Sequence, residues 1–210
     1  MPIFRKNGRK VLFIHVPKAG GGTVEKIFQN NGWRMDFFDD GNLPDVSLNK
    51  IFRCSPQHFH YSMLKSILNF SEFDCIFSIL RDPIDRLRSE YKWVNRKKTN
   101  PEPFEDWAKH VLREYKHNNY ILDNHLRPQS DFVGEDVKVF SIDFGIEFIL
   151  SAVSKCIDDD IVLDNAPHIH RSKEILTTYS LSDEVSEQVS LLYDRDFLLL
   201  KELNTSKNRL

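Results

Sequence analysis

The residues with the clearest chemical use are Lys18, Gly20, Gly21, Gly22 and Thr23. An apolar run from Val11 to Val16 leads into them and reads as a buried strand that Pro17 stops. Beyond Thr23, Val24, Ile27 and Phe28 fall on one face of an amphipathic helix. Strand, glycine turn and helix N-terminus together make an anion cradle. Glycines let backbone N–H groups approach oxyanions, and the helix dipole favours negative charge. The order differs from the nucleotide-triphosphatase loop GxxxxGK[ST], whose hydroxyl residue follows the lysine and binds magnesium. Here the lysine precedes the glycines and Thr23 stands alone.

A second segment, residues 74–91, reads DCIFSILRDPIDRLRSEY. Cys75 to Leu80 is another apolar strand with Arg81 at its C-terminal end, and Asp82-Pro83 opens a helix. Ser89 lies two turns into that helix. Arg81 and Ser89 can converge on one anion if the helix folds back beside the strand. The planar guanidinium fork suits phosphate, and the serine adds a hydroxyl donor.

Both segments resemble the motifs of the sulfotransferases that use 3′-phosphoadenosine-5′-phosphosulfate (PAPS). Those enzymes carry a loop of type PKxGGT[ST], here Pro17-Lys18-Ala19-Gly20-Gly21-Gly22-Thr23. They also carry RDPxxRxxSxY, present at every fixed position from Arg81 to Tyr91. The resemblance is strong over residues 10–95 and looser beyond. Gly22 departs from it, because many members have a hydroxyl residue there. The resemblance implies that Pro17 to Thr23 hold the 5′-phosphosulfate, and that Arg81 and Ser89 hold the 3′-phosphate. It also implies that the product is adenosine 3′,5′-bisphosphate and that no metal is required. Lys18 is then the catalytic cation on the leaving phosphate oxygen. His168-Ile169-His170-Arg171-Ser172-Lys173 resembles the late basic loop that covers the cofactor, where Arg171 or Lys173 would reach the donor phosphates.

An attacking hydroxyl needs a base, and histidine titrates near neutral pH. Of eight histidines, His15 reads as a core or cofactor-side residue and His110 and His117 as surface residues. Gln57-His58-Phe59-His60-Tyr61 resembles the HxH segment of uronosyl 2-O-sulfotransferases, whose second histidine is the base. This makes His60 the expected base and His58 an accessory or alternative one; a packed loop pair is the competing reading. Asn124-His125-Leu126-Arg127-Pro128-Gln129-Ser130 resembles the HWxPQ region of the group that includes chondroitin 4-O-sulfotransferases, with Leu126 in place of the aromatic residue. His125, Arg127 and Gln129 then line the acceptor cleft or, equally, form a structural loop.

Strands are expected at 10–16, 74–80 and 137–142. Helices are expected at 22–31, 61–69, 83–98, 104–116, 144–156, 181–192 and 194–203, with irregular stretches to about 57, at 118–135 and at 164–175. Alternating strands and helices imply an α/β fold: a P-loop-like, mostly parallel β-sheet flanked by helices, as a single domain over 1–210. Ligands of such sheets bind beyond the carboxyl ends of the strands, where both motifs lie. Val137 to Asp143 resembles the acidic strand of an ATPase but reads as a core strand with a helix cap at Asp143.

The chain has 210 residues, 40% hydrophobic and 29% charged, with a formal net charge of −2. This suits a globular protein and argues against nucleic-acid binding. Basic residues cluster locally at Arg81, Arg86, Arg88, Lys92, Arg96, Lys97 and Lys98, as a solvated helix face or as an attraction for anions. Cys54, Cys75 and Cys156 form no CxxC pair, so neither zinc nor a disulfide framework is implied. His168 and His170 have no third metal ligand at a typical spacing. No apolar run approaches the ~20 residues of a membrane span. MPIFRKNGRK has no apolar signal core. A cytoplasmic location is expected, or the Golgi lumen for a trimmed chain. The expected function is transfer of the PAPS sulfuryl group to an acceptor hydroxyl, on a carbohydrate or polysaccharide. The alternatives are a P-loop small-molecule kinase and a non-catalytic nucleotide-binding module. Against the kinase, this chain lacks the GK[ST] order and a convincing magnesium-binding acid.

Overall fold

A computed structural model describes residues 2–39, 47, 49, 51–163 and 179–207. One five-stranded sheet organises it, built from β1 (Ile3–Lys6), β2 (Arg9–Ile14), β3 (Arg34–Asp36), β4 (Cys75–Leu80) and β5 (Lys138–Ser141) in the order β3-β1-β2-β4-β5. β2, β4 and β5 are mutually parallel, while β1 is antiparallel to both β2 and β3. Four of the five strands therefore run the same way, as the α/β reading requires. The expected strands appear, each within a few residues of its sequence-derived bounds. β1 and β3 were not anticipated. β1 is joined to β2 by Asn7-Gly8, both with positive φ (48° and 83°), the conformation that a tight two-residue hairpin demands.

The helices are α1 (Gly21–Asn30), α2 (Tyr61–Ile67), α3 (Pro83–Asn95), α4 (Phe104–Tyr115), α5 (Ile146–Ile157), α6 (Asp183–Leu192) and α7 (Asp194–Lys207). Among the described residues none is long and apolar enough to cross a membrane. Alternation along the central strands sends side chains to both faces, so both faces are covered. Val11 and Phe13 of β2 with Phe77 and Ile79 of β4 pack against Val24, Ile27 and Phe28 of α1 and Ile149 and Val153 of α5. Leu12, Ile14, Ile76 and Leu80 face the other way, onto Leu64 of α2, Leu200 of α7 and Phe132 in the segment before β5. The buried Ser78 hydroxyl on β4 donates to the Ile14 carbonyl at 2.8 Å, so it costs little there.

A third cluster stands beside the sheet. Leu87 and Tyr91 of α3 meet Phe104, Trp107 and Val111 of α4 and Val185 and Val189 of α6. It anchors α3 at the carboxyl ends of β2 and β4. α3 starts where the sequence says it should: Pro83 is its first residue, and the Asp82 side chain caps it by accepting from Asp85 N at 3.0 Å.

Candidate active site

The glycine turn leaves β2 and enters α1 as a left-handed corner. Lys18 has φ 65°, and Gly20, the N-cap of α1, has φ 91° and ψ 10°. That N-cap makes no side-chain hydrogen bond, and no acidic residue occupies the first turn. The N-terminal N–H groups and the helix dipole thus face no competing anion from their own helix. Gly21 is required for a different reason. A Cβ there would lie 2.2 Å from His15 Nε2, so the imidazole packs where any side chain would stand. Gly21→Ala is expected to cost about 1–3 kcal/mol by overpacking. His15→Ala in the same chain should restore most of it, as read from urea unfolding midpoints. A Gly21→Ala chain of parental stability would refute this packing.

The β4 motif comes to the same place. Arg81 Nη1 donates to the Lys18 carbonyl at 3.4 Å, tying the strand-end arginine to the turn. The Lys18 ammonium lies 4.4 Å from the centre of the Trp93 ring, and Arg96 stacks on that indole at 3.6 Å. Burial lowers the Lys18 pKa; Glu90 opposes the shift, while Arg96 and Arg81 add to it. The half-buried Ser89 lies on α3 next to Glu90.

Three histidines gather beside the turn, each with a carboxylate at Nδ1. His15 faces Glu25 at 2.8 Å, His58 faces Asp123 at 2.8 Å, and His125 faces Glu90 at 2.6 Å. The His58 ring centre lies 5.5 Å from that of His15 and 4.5 Å from that of His125. At His58 and His125 the carboxylate hydrogen-bonded to Nδ1 fixes the tautomer and leaves Nε2 as the free acceptor. Burial and the neighbouring His125 charge push the His58 pKa well below its ordinary value, against the Asp123 hydrogen bond. Burial acts to raise the Asp123 pKa, but the His58 and Ser55 hydrogen bonds prevail and bring it down to about 2. For Glu25, burial is likewise outweighed by His15, and its pKa is lowered.

Asp123 is held in a strained segment. Leu122, Asp123 and Asn124 are consecutive left-handed residues, with φ of 52°, 59° and 69°. Asp123 accepts from the Ser55 N–H and hydroxyl, both at 2.5 Å, and Asn124 Nδ2 donates to the His58 carbonyl at 2.8 Å. These bonds lock the segment onto the turn that carries His58. Nothing in the sequence marks Asp123, Glu90 or Glu25 as histidine partners; the only signal is the tolerance of Asp and Asn for left-handed backbone.

The sulfotransferase family model matches residues 1–201. The chain belongs to the sulfotransferase family. The enzyme class that the two motifs indicated, a PAPS-dependent sulfotransferase, therefore stands. Among solved structures it is similar to mouse sulfotransferase SULT7A1 complexed with PAP, at 12% identity, covering 98% of this chain and 87% of that one with a TM-score of 0.41. No curated protein matches it.

Within this sulfotransferase the second motif divides into scaffold and site. Asp82 and Pro83 start α3. The buried Arg86 donates from Nη1 to the His125 carbonyl at 2.8 Å and from Nη2 to the Arg127 carbonyl at 2.9 Å, which positions the His125 loop. Tyr91, fully buried, donates to the Glu102 carbonyl and packs the helical cluster. Arg81 instead reaches the glycine turn, at the Lys18 carbonyl.

The His125 loop divides in the same way. The structural-loop reading holds for two of its residues. Gln129 is 0% exposed and spans the Arg81 backbone, accepting from its N–H at 2.9 Å and donating to its carbonyl at 2.7 Å. Asp196 of α7 holds the loop by accepting from Gln129 N and Ser130 N, both at 2.8 Å. Arg127 is buried and engaged with Asn124 at 2.7 Å and Asp131 at 2.9 Å. The expectation that Arg127 and Gln129 line a cleft is therefore corrected: both side chains are buried, and the Gln129 amide and the Nε and Nη1 groups of Arg127 bond within the protein. His125 joins the histidine cluster.

His60 and His58 part company. The His60 ring neighbours Tyr120 and Phe132. Burial, with the Arg127 charge, lowers its pKa to about 4. His58 is the member of the pair that meets His15 and His125. Pro17 and Ala19 lie in the turn, Gly22 is the second residue of α1, and Thr23 is half-buried in the first turn of that helix. Arg171, with His168, His170 and Lys173, lies outside the described residues.

Proposed function

We propose that the chain acts as a single domain that moves the sulfuryl group of PAPS to a hydroxyl of a carbohydrate or polysaccharide, with no metal ion in the reaction. The observation that carries this reading is the meeting of His58 and His125. They come from the two segments that resemble carbohydrate sulfotransferases, and they meet beside the turn that bears Lys18. The uncapped N-terminus of α1 suits an anionic 5′-group, and Arg81 and Ser89 suit the 3′-phosphate that distinguishes PAPS from other adenine nucleotides.

When bound, PAPS supplies an activated sulfuryl group whose departure leaves charge on a phosphate oxygen. Lys18 stabilises that charge as it develops. His58 accepts the acceptor's proton at Nε2, while Asp123 holds the proton on Nδ1 and stabilises the imidazolium that forms. The base is thus assigned to His58 rather than His60. His125, oriented by Glu90, faces the same reacting centre and orients the acceptor hydroxyl.

Arg81→Ala tests the donor assignment. Loss of a charged hydrogen bond, worth about 1.5–3 kcal/mol, should weaken adenosine 3′,5′-bisphosphate by roughly 10- to 150-fold. Adenosine 5′-monophosphate, which lacks the 3′-phosphate, should bind mutant and parent alike in calorimetric titration. An equal loss for both would overturn the assignment. Labelled PAPS offered with uronic-acid polysaccharides, small alcohols and tyrosine peptides tests the acceptor. Label appearing only in the alcohols or peptides would overturn the carbohydrate reading.

A further inference from the structure

We propose that His58, Asp123 and His125 form a zinc-binding site, and that the bound ion switches the enzyme off by taking the base out of use. The inhibitory half rests on His58 being the base; the binding half does not.

One ligand atom from each of these residues lies within 4.8 Å of the others. Two imidazole nitrogens and one carboxylate oxygen, with a fourth position open to water, form a donor set that zinc accepts. The outer groups are also in place. Glu90 is 2% exposed and accepts from His125 Nδ1 at 2.6 Å, so Nε2 is the ligating nitrogen. A carboxylate on the far nitrogen orients a ligating ring and raises its basicity. At His58 the ion would stand where the Nδ1 proton now bridges to Asp123 Oδ2 at 2.8 Å. The Asp123 side chain is 41% exposed while both rings are nearly buried, so the ion would arrive from the Asp123 side.

The consequence follows from proton counting. Neutral His58 carries one ring proton, held on Nδ1 by Asp123. When zinc bonds to Nδ1, that proton moves to Nε2 and none is released. Nε2 then has no lone pair for the acceptor hydroxyl. Neutral His125 keeps its proton on Nδ1 toward Glu90 and ligates through Nε2. No oxidation state changes, and removing the ion restores the original tautomer.

Cobalt(II) is a suitable probe because a tetrahedral site gives it visible absorption that water does not. Titrated into the metal-free enzyme, one equivalent should bind with those bands, and zinc should displace it. Glu90→Gln should weaken binding by about 10- to 100-fold, the usual cost of losing an outer carboxylate, and Asp123→Asn or His125→Gln by at least as much. Turnover in zinc buffers should fall more than ~10-fold at saturation and return with a chelator. Absence of a stoichiometric cobalt spectrum, or bands that survive both Asp123→Asn and His125→Gln, would overturn the site. The two ideas fail separately. Stoichiometric metal with undiminished turnover would remove His58 as the base and leave the site standing. An inactive His58→Ala enzyme whose parent takes up no cobalt would remove the site and leave the base.

Discussion

Alanine at position 58 is expected to lower kcat by about 10²–10⁴, the range for losing a positioned general base. Donor binding should be unaffected, because the role proposed for His58 is on the acceptor. The pH profile gives the sharper result. A base must be neutral to act, so activity rises with pH through the His58 pKa. Burial and the neighbouring His125 charge disfavour its imidazolium, and that limb should lie below the ordinary histidine value of 6.5. In His58→Ala the limb should disappear. His60→Ala is the control. Its ring neighbours Tyr120 and Phe132 rather than the other histidines, so kcat should stay within about tenfold of the parent, far from the loss of a base. If His60→Ala is inactive and His58→Ala is not, the roles are reversed.

The turn and the β4 motif were legible because their residues are consecutive. A turn that must approach an oxyanion needs glycine, and a strand-end arginine and a helix-borne serine come from one short segment. The meeting of Arg81 with the turn follows from parallel pairing of β2 with β4, which puts both strand ends at the same edge. What the motif did not reveal is how much of it is scaffold. Arg86 and Tyr91 are fixed positions of the motif, yet one clamps the His125 loop and the other fills the helical core.

The histidine cluster was legible only in part, as a choice between His58 and His60. Asp123 is 65 residues from His58, in a stretch that reads as irregular. No periodicity announces a left-handed corner, and an aspartate in a loop is ordinary. Glu90 was hidden differently, at a variable position of a recognised motif. The fold shows the same limit. β1 and β3 are four and three residues long, too short for alternation to stand out. The Asn7-Gly8 turn was a readable hairpin signal, because both residues tolerate positive φ. β3 had no such marker and is defined only by its pairing with β1.

Lys18→Ala is expected to reduce kcat by about 10²–10³, comparable to removing one donor from an oxyanion hole, while adenosine 3′,5′-bisphosphate affinity changes much less. The asymmetry comes from timing. Negative charge on the bridging oxygen grows as the S–O bond breaks, so a cation there acts more on the transition state than on bound donor. Measuring kcat and product affinity on one preparation separates the two effects. The charge environment adds a second readout. Lys18 acts only when protonated, so activity falls as pH rises through its pKa. Burial lowers that pKa from 10.5, Glu90 works against the shift, and Arg96 and Arg81 add to it. The basic limb should therefore lie below pH 10.5, and Glu90→Gln, which removes the opposing charge, should move it lower still. Lys18→Arg should keep the charge but hold it at a different reach and abolish the limb, because guanidinium does not deprotonate in this range. A parental kcat in Lys18→Ala would mean that Arg81 or Arg96 carries the role. A basic limb unmoved by Glu90→Gln would mean that it belongs to some other group.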